Sequence, residues 1–267
     1  MEEPGRPSDP GAPMNYGIQI SASGALASIH QQDALSANLA NINTAGFKPV
    51  LAGTMFREAA RQEDGLMNMP SDALLERLGG GVFAAPTIID FTQGTLDLTG
   101  NTLDLAIQGD GFFGVGDPSN PSLTRDGRFT LNSEGVLVMS SNGTPVLSED
   151  GGEIKLDLNY EIEIDSQGVI YQGGAEVDRL MIADVADRSV LKKHGHGQFV
   201  SKYGQPLDLI GAVGLVKQGA IEESAVNEVD ALMKITAASR AAQGNIGMIQ
   251  MQNSLNDRAI NTFGRIS

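Results

Sequence analysis

The amino-acid sequence predicts an α+β protein that is mostly β, with N- and C-terminal helices paired as a coiled-coil-like domain around a β-rich middle domain. Two observations indicate the helices: apolar residues recur at helical spacing over residues 17–43 and again over 222–262. A third indicates the β region: short alternating segments lie between turn residues over 84–218. The predicted parts are a disordered N-terminal extension 1–13, an N-terminal assembly helix 14–48, an extended connector 49–83, a β-rich middle domain 84–218 and a C-terminal assembly helix 219–267.

Composition limits the function. The chain has 267 residues, a net charge of −15 and no cysteine. The acidic balance argues against nucleic acid as a partner, and the missing cysteine excludes disulfides and thiolate metal sites. No apolar run is long enough to cross a membrane, so direct membrane insertion is not expected. The acidic, Pro-rich residues 1–13 lack the apolar region of a cleaved secretory signal peptide, and Met14 is compatible with a natural start.

The first predicted helix carries a narrow apolar stripe. Half of the stripe is small residues, which favours close helix–helix approach over covering a sheet. Gly46 is expected to end this helix, and the Lys48-Pro49 step prevents a restart. In the connector, residues 54–62 could form one short helix.

The middle region predicts short strands. These are Thr95–Leu98, Leu103–Ile107, Phe129–Leu131, Val136–Val138, Ile154–Leu158 and Ile162–Ile164. Residues 131–137 echo residues 164–170, and both segments predict a hairpin closed by glycine. Residues 190–218 are predicted to be rich in loops.

The C-terminal stripe predicts a long helix over 222–262 that is marginal alone and needs packing. A chain with such helices at both ends is expected to bury their stripes against other copies. The predicted assembly interface comprises Ile18, Ala25, Ile29, Leu35, Leu39 and Ile42 on the first helix, and Val229, Leu232, Ile235, Ile246 and Ile249 on the second.

No pattern of catalytic or ligand-binding residues emerges, so no enzyme activity, cofactor or metal is predicted. The His194 and His196 pair lies in a Gly-rich loop and is interpreted as exposed loop rather than a metal site. Residues 109–116 lack the Lys-Ser/Thr of a phosphate loop, which favours a tight turn feeding a strand that contains Phe112 and Phe113. The many carboxylates have no aromatic sugar platform beside them. Two alternatives remain open: a secreted acidic hydrolase built on the β domain, and a cytoplasmic coiled-coil scaffold.

Four ordered motifs resemble those of the bacterial flagellar basal-body rod and hook proteins. The first is Ser36-Ala-Asn-Leu-Ala-Asn-Ile-Asn-Thr-Ala-Gly-Phe-Lys48; its motif residues are Asn38, Leu39, Asn41, Asn43, Thr44, Gly46 and Phe47. The others are residues 103–115, residues 123–131 with the following Gly135 and Gly143 segments, and the helix start at 224–233. The sequence departs from the family pattern in its first 13 residues, in the neighbours of the polar break at 30–32, and at Ala242, where relatives usually carry an aromatic residue.

The resemblance implies a structural, non-enzymatic subunit of the flagellar basal-body rod, which assembles into a helical tubular shaft that transmits torque. It implies export through the flagellar type III apparatus without a cleaved signal peptide, localisation in the periplasm-spanning rod, and other rod and hook subunits and further copies of itself as partners. The compact connector and the polar end at 261–267 slightly favour the proximal over the distal rod type.

Overall fold

The computed structural model describes residues 16–58, 80–157 and 159–263. These residues form two compact units, and each of the two long helices has residues in both. The helical unit comprises the described residues within Met1–Ala34, Ala52–Pro86 and Met233–Ser267. The β unit comprises Leu35–Leu51 and the described residues of Thr87–Leu232. The predicted class is confirmed: the chain is mostly β, with one helix towards each end.

The two helices are α1, Tyr16–Ala40, and α2, Glu228–Phe263. The prediction placed the start of α2 six residues too early, because Ala220–Glu222 forms a strand. The helix begins where the Asn227 side-chain oxygen accepts the Asp230 N–H at 3.0 Å, which is an N-cap, and the acidic first turn complements the helix dipole. In the described part of the chain, neither helix is long and apolar enough to span a membrane.

Within the helical unit, small residues let the helices approach closely. A Cβ atom on Gly17 would lie 2.5 Å from the Gln252 side chain, and one on Gly24 would lie 2.9 Å from Asn245. From Gly17 to Gly24 the contacting residue on α2 moves back by seven positions, from Gln252 to Asn245, so the two helices are antiparallel. The seam therefore depends on glycine, and a larger side chain would push the helices apart.

A short hairpin completes the helical unit. Its strands are β2, Thr54–Phe56, and β3, Val82–Ala84, which pair antiparallel. The alternative of a helix over 54–62 is therefore wrong for 54–56, and residues 59–79 lie outside the described part of the chain. The Ser23 hydroxyl accepts the Val82 N–H at 3.3 Å, which ties this hairpin to α1. The connector thus contributes ordered strands at both of its ends.

The β unit contains the remaining strands. They are β1 Val50–Leu51, β4 Ile88–Ile89, β5 Leu96–Leu98, β6 Leu105–Gln108, β7 Phe112–Asp117, β8 Asn120–Thr124, β9 Phe129–Leu131, β10 Leu137–Met139, β11 Ile162–Ile164, β12 Val169–Gln172, β13 Ala175–Arg179, β14 Ile182–Val185, β15 Leu191–Lys193, β16 Gln198–Ser201, β17 Leu209–Gly211, β18 Leu215–Gln218 and β19 Ala220–Glu222. The largest sheet has the order β15-β16-β8-β7-β14-β17, and a second has the order β11-β12-β13. The other strands form antiparallel pairs: β1 with β4, β5 with β19, β6 with β18 and β9 with β10.

The predicted hairpins at the internal echo are confirmed. Leu131 pairs with Leu137, and Ile164 pairs with Ile170. In both turns the first side chain accepts two backbone N–H groups, and the glycine adopts a positive φ, +77° at Gly135 and +82° at Gly168. This is the conformation that favours glycine.

Two predictions for the β region are wrong. Residues 154–157 form no strand; Lys155 makes only an isolated bridge to Val136, and Leu158 lies outside the described residues. The segment 190–218, predicted to be rich in loops, contains the four strands β15 to β18. These strands are short and lie between glycine-containing turns, so the alternation of apolar and polar residues is too brief to recognise in the sequence. Their positions are determined by pairing with other strands of the sheets. Phe112 and Phe113 are buried on β7, as predicted.

Candidate assembly site

The first family motif ends α1 through its asparagines. The buried Asn38 donates to the Val50 carbonyl at 2.8 Å and accepts the Val50 N–H at 2.8 Å, so it holds the returning chain against the helix end. Asn41 donates to the Ala37 carbonyl at 2.8 Å, which satisfies one carbonyl of the last helical turn. These bonds explain why α1 ends at Ala40, before the predicted residue 43.

Gly46 makes the tightest contact in the motif. Its φ is +64°, and a Cβ atom there would lie 2.3 Å from the carbonyl carbon of Arg125, so only glycine fits. Its N–H donates to the Glu222 carbonyl at 2.7 Å, and the Phe47 carbonyl accepts the Ala225 N–H at 3.2 Å. The segment that leaves α1 therefore runs beside the segment that leads into α2.

A buried ion cluster lies at the same place. The Glu222 carboxylate accepts from Lys48 Nζ at 2.5 Å, from Arg125 Nη1 at 3.1 Å and from the Gly94 N–H at 2.9 Å. All three charged side chains are at most 3% exposed. We call Lys48, Arg125 and Glu222 the ion cluster. It joins the end of the first motif, the loop after β8 and strand β19.

The ion cluster holds two cations for one carboxylate. Backbone carbonyls receive further donors: Lys48 donates to Thr92 at 2.8 Å, and Arg125 donates to Gly109 at 2.7 Å and to Ile107 at 3.2 Å. Burial lowers the pKa of Lys48 and of Arg125, and the Glu222 carboxylate opposes that shift in both. Removing Glu222 would leave two uncompensated buried charges, which is far more costly than losing an exposed pair.

The sequence prediction missed the ion cluster. In the sequence, Lys48 stands out only as the last residue of the first motif and the residue before Pro49, and Arg125 only as part of a motif. Glu222 lies 174 positions from Lys48, so no local pattern connects them. The residue types are a weak indication of the cluster. Lysine and arginine are rarely buried without a charged partner, so a lysine and an arginine inside motifs that form turns suggest that such a partner exists.

The predicted assembly residues fall into three groups. Ile29, Val229, Leu232 and Ile246 are exposed; Ile18, Leu35, Leu39, Ile42, Ile235 and Ile249 are half-buried; Ala25 is buried. Of the motif residues, Asn38 and Gly46 are buried, Leu39, Asn41, Thr44 and Phe47 are half-buried, and Asn43 is exposed. The set therefore mixes side chains that already have partners within the chain with side chains that face solvent.

A second apolar stripe on α2 was missed. Met233, Met248, Met251 and Leu255 are 62%, 49%, 59% and 56% exposed. With Ala237, Ala241 and Gly244 between them, they recur every three or four residues along one face. The buried positions Ala231, Ala238 and Ala242 lie on a different face, with the half-buried Ile235 between them. The helix thus has one covered and one uncovered apolar stripe.

The candidate chemistry remains unsupported. His194 and His196 are exposed in the turn between β15 and β16, as predicted. Among the residues that the structure describes, no group of His, Cys, Asp or Glu could hold a metal ion.

Comparison with known proteins decides the family. The family model described as "Flagella basal body rod protein" matches residues 18–48, and "Flagellar hook protein FlgE/F/G D1 domain" matches 106–172. The flagellar basal-body rod protein FlgF of Rhizobium meliloti is 30% identical over 94% of this chain and 99% of the relative. FlgF of Caulobacter vibrioides is 30% identical over 95% of this chain and all of the relative.

The chain belongs to the flagellar basal-body rod protein family. The rod protein FlgG of Buchnera aphidicola subsp. Schizaphis graminum is also similar, at 30% identity over 89% of the chain and 96% of the relative. A rod protein is a structural component of the flagellar basal body and assembles with other rod and hook subunits. The motif that ends at the ion cluster lies within the segment matched by the rod family model.

Proposed function

We propose that this rod protein self-assembles into a helical tubular shaft that transmits torque, through the apolar faces of its terminal helices. The second apolar stripe on α2 carries the proposal. Exposed apolar stripes of this length mark surfaces that are covered by a partner. Heterologous contacts that do not close on themselves generate a helical filament, which is the form of a shaft.

The helical unit supports this assignment by what it buries. Among its described residues, the buried apolar side chains are those of Ala25, Ala27, Ala238 and Ala242, whereas Leu26 is 68% and Ile260 69% exposed. A helix pair that buries small residues and exposes large ones gains little from its own packing. Packing against other subunits supplies the missing burial.

Substitution in the second apolar stripe tests the proposal. In the cell, Met251→Asp should abolish rod assembly and motility, because a charge would be buried in a subunit interface. Gln243→Asp is the matched control, since Gln243 is exposed on the polar side of the same helix. Circular dichroism should show both variants folded. Normal basal bodies in the Met251→Asp strain, seen by electron microscopy, would refute the proposal.

We also propose a position in the proximal part of the rod. Relatives named FlgF match 94–95% of this chain, whereas those named FlgG match 87–91%, which favours a FlgF-like subunit. Electron microscopy of basal bodies from a deletion strain is the test. We expect a rod that stops close to its base; a rod that lacks only its outer end would support the distal position instead.

We further propose export through the flagellar type III apparatus without a cleaved signal peptide, and no catalytic activity. The marginal terminal helices suit a chain that travels unfolded, since Gly17 and Gly24 on α1 and Gly244 and Gly247 on α2 weaken both. A strain without flagellar export should retain the full-length protein inside the cell. Its appearance outside such cells, or a shortened mature N-terminus, would contradict this route.

A further inference from the structure

Among the residues that the structure describes, no carboxylate is paired with the ammonium group of Lys193. Lys193 ends the edge strand β15, and its Nζ lies 3.7 Å from the centre of the Phe47 ring, a cation–π contact with a residue of the first family motif. Burial lowers the pKa of Lys193 to about 8, and no acidic group opposes that shift. A desolvated ammonium of this kind is stabilised when an anion approaches.

Lys193 borders a cavity of about 270 Å³, which we call the Lys193 cavity. Its walls come from the end of the first motif, including Asn41 and Phe47, and from the β15–β16 turn, including His196. The turn is preformed: His196 has φ +46°, flanked by two glycines with positive φ. In the described part of the chain, the lining of the cavity includes Lys48 and Lys193 but no Asp or Glu, so its chemistry fits a carboxylate.

The surrounding surface is basic in an acidic protein. Residues 188–202 contain Arg188, Lys192, Lys193 and Lys202 and no Asp or Glu, in a chain of net charge −15. Arg188 is paired with Asp184 and Asp110, and Lys202 donates to the Ser189 carbonyl at 2.6 Å. Lys192 and His194 are exposed beside the cavity.

A complementary surface exists on the same chain. Between residues 149 and 165 there are seven carboxylates and one lysine. On the sheet β11-β12-β13, Glu163 lies opposite Tyr171, which lies opposite Glu176. Glu161 lies two residues before Glu163, next to the start of β11, and all three glutamates are exposed. We call Glu161, Glu163 and Glu176 the acidic face.

We propose that the Lys193 cavity receives a carboxylate from the acidic face of a second copy, so that neighbouring subunits join head to tail. The inference rests on the proposed function as a rod subunit. Basic against basic and acidic against acidic contacts are repelled, so only the heterologous pairing of the two surfaces is attractive. That pairing leaves one free surface of each kind at the two ends, and so it propagates instead of closing as a dimer.

Sedimentation velocity of the full-length protein tests this contact. At low salt the wild type should form a series of oligomers, which high salt dissociates because the contact is between charges. Lys193→Met should shift association at least tenfold to higher concentration. Lys217→Met is the matched control, since Lys217 is an exposed lysine on β18 that does not line the cavity, and it should behave as wild type.

Mixing two variants tests the direction of the contact. Lys193→Met lacks the basic surface, and the triple variant Glu161→Gln, Glu163→Gln, Glu176→Gln lacks the acidic face. At a concentration where the wild type just associates, each alone should stay monomeric, but their mixture should form a 1:1 complex and nothing larger. A wild type that stays monomeric at low salt, a Lys193→Met variant that associates as wild type, or a mixture without the 1:1 complex would each overturn the proposal.

The failure of this contact is distinguishable from failure of the rod assignment. If Lys193→Met cells build normal rods while Met251→Asp cells build none, the Lys193 contact is wrong and the rod function stands. If both variants build normal rods, the rod assignment through α2 also fails.

Discussion

The β unit and the helical unit follow opposite packing rules. The β unit buries large side chains such as Phe112, Phe113 and Leu137, which are at most 1% exposed. The helical unit buries alanine and packs Gly17 and Gly24 under polar side chains, while those of its methionines and leucines that the structure describes face solvent. The first pattern describes a domain that is complete as a single chain. The second describes a surface that becomes a core only after other subunits cover it.

Among the substitutions considered, one in the ion cluster of the β unit should have the largest effect on the free energy of unfolding. Glu222→Ala should lower the free energy of unfolding of the β unit by about 3–5 kcal/mol, because Lys48 and Arg125 would be buried without their carboxylate. Urea unfolding followed by far-UV circular dichroism measures the change. Glu161→Ala, at an exposed glutamate, is the control and should change stability by less than about 0.5 kcal/mol. An equal response of both variants would show that the ion cluster does not stabilise the β unit.

Gly46 should give the next largest effect. Gly46→Ala should cost on the order of 1–3 kcal/mol, because alanine is strained at φ +64° and its Cβ would collide with the Arg125 backbone. Gly143 offers a matched control: its φ is +71° but open space surrounds it. The difference between Gly46→Ala and Gly143→Ala isolates the collision. No difference in urea midpoint would mean that the chain relaxes away from Arg125.

Lys193 should give a smaller, pH-dependent effect. The pKa of Lys193 is near 10.5 in the unfolded chain and about 8 in the folded chain. The charged, partly buried form therefore costs stability below pH 8, and stability rises between pH 8 and 10.5 as the folded state loses the proton first. Lys48, Phe47 and His196 line the same cavity, and Lys48 keeps its partner Glu222.

Comparison of wild type with Lys193→Met measures this effect. The variant should be more stable at pH 7, and its advantage should shrink as the pH passes from 8 to 10.5. Lys217→Met, at an exposed position, should follow wild type throughout. An advantage that is constant with pH would assign the gain to added apolar contact instead of to the charge of Lys193.

The sequence revealed the architecture through local patterns. The helical spacing of Ile18, Ala25 and Leu39 predicted α1, and the repeated Asn/Asp-to-Gly turns predicted the hairpins at 131–137 and 164–170. Both signals are short in range, since a helix and a two-strand turn depend on neighbours within a few residues. The strands of 190–218 were missed because each is only three or four residues long and is fixed by a distant partner.

The site depended on information that local patterns lack. The predicted interface treats its positions as one surface, yet Ala25 is buried within the chain and Val229 is 65% exposed. Which face of α2 is covered depends on where α1 lies, and that follows from contacts between distant residues, 235 positions apart for Gly17 and Gln252 and 221 for Gly24 and Asn245. The ion cluster likewise joins residues that are distant in sequence, with 174 positions between Lys48 and Glu222.

Hydrogen exchange on the full-length monomer and on isolated rods tests the central claim, that the helical unit is completed only by assembly. In the monomer, backbone amides of β7 and β14 should exchange through global unfolding, whereas those of α1 and α2 within the helical unit should exchange orders of magnitude faster. In rods, both sets should be protected. Helix amides that are already as slow as those of β7 in the monomer would contradict the account.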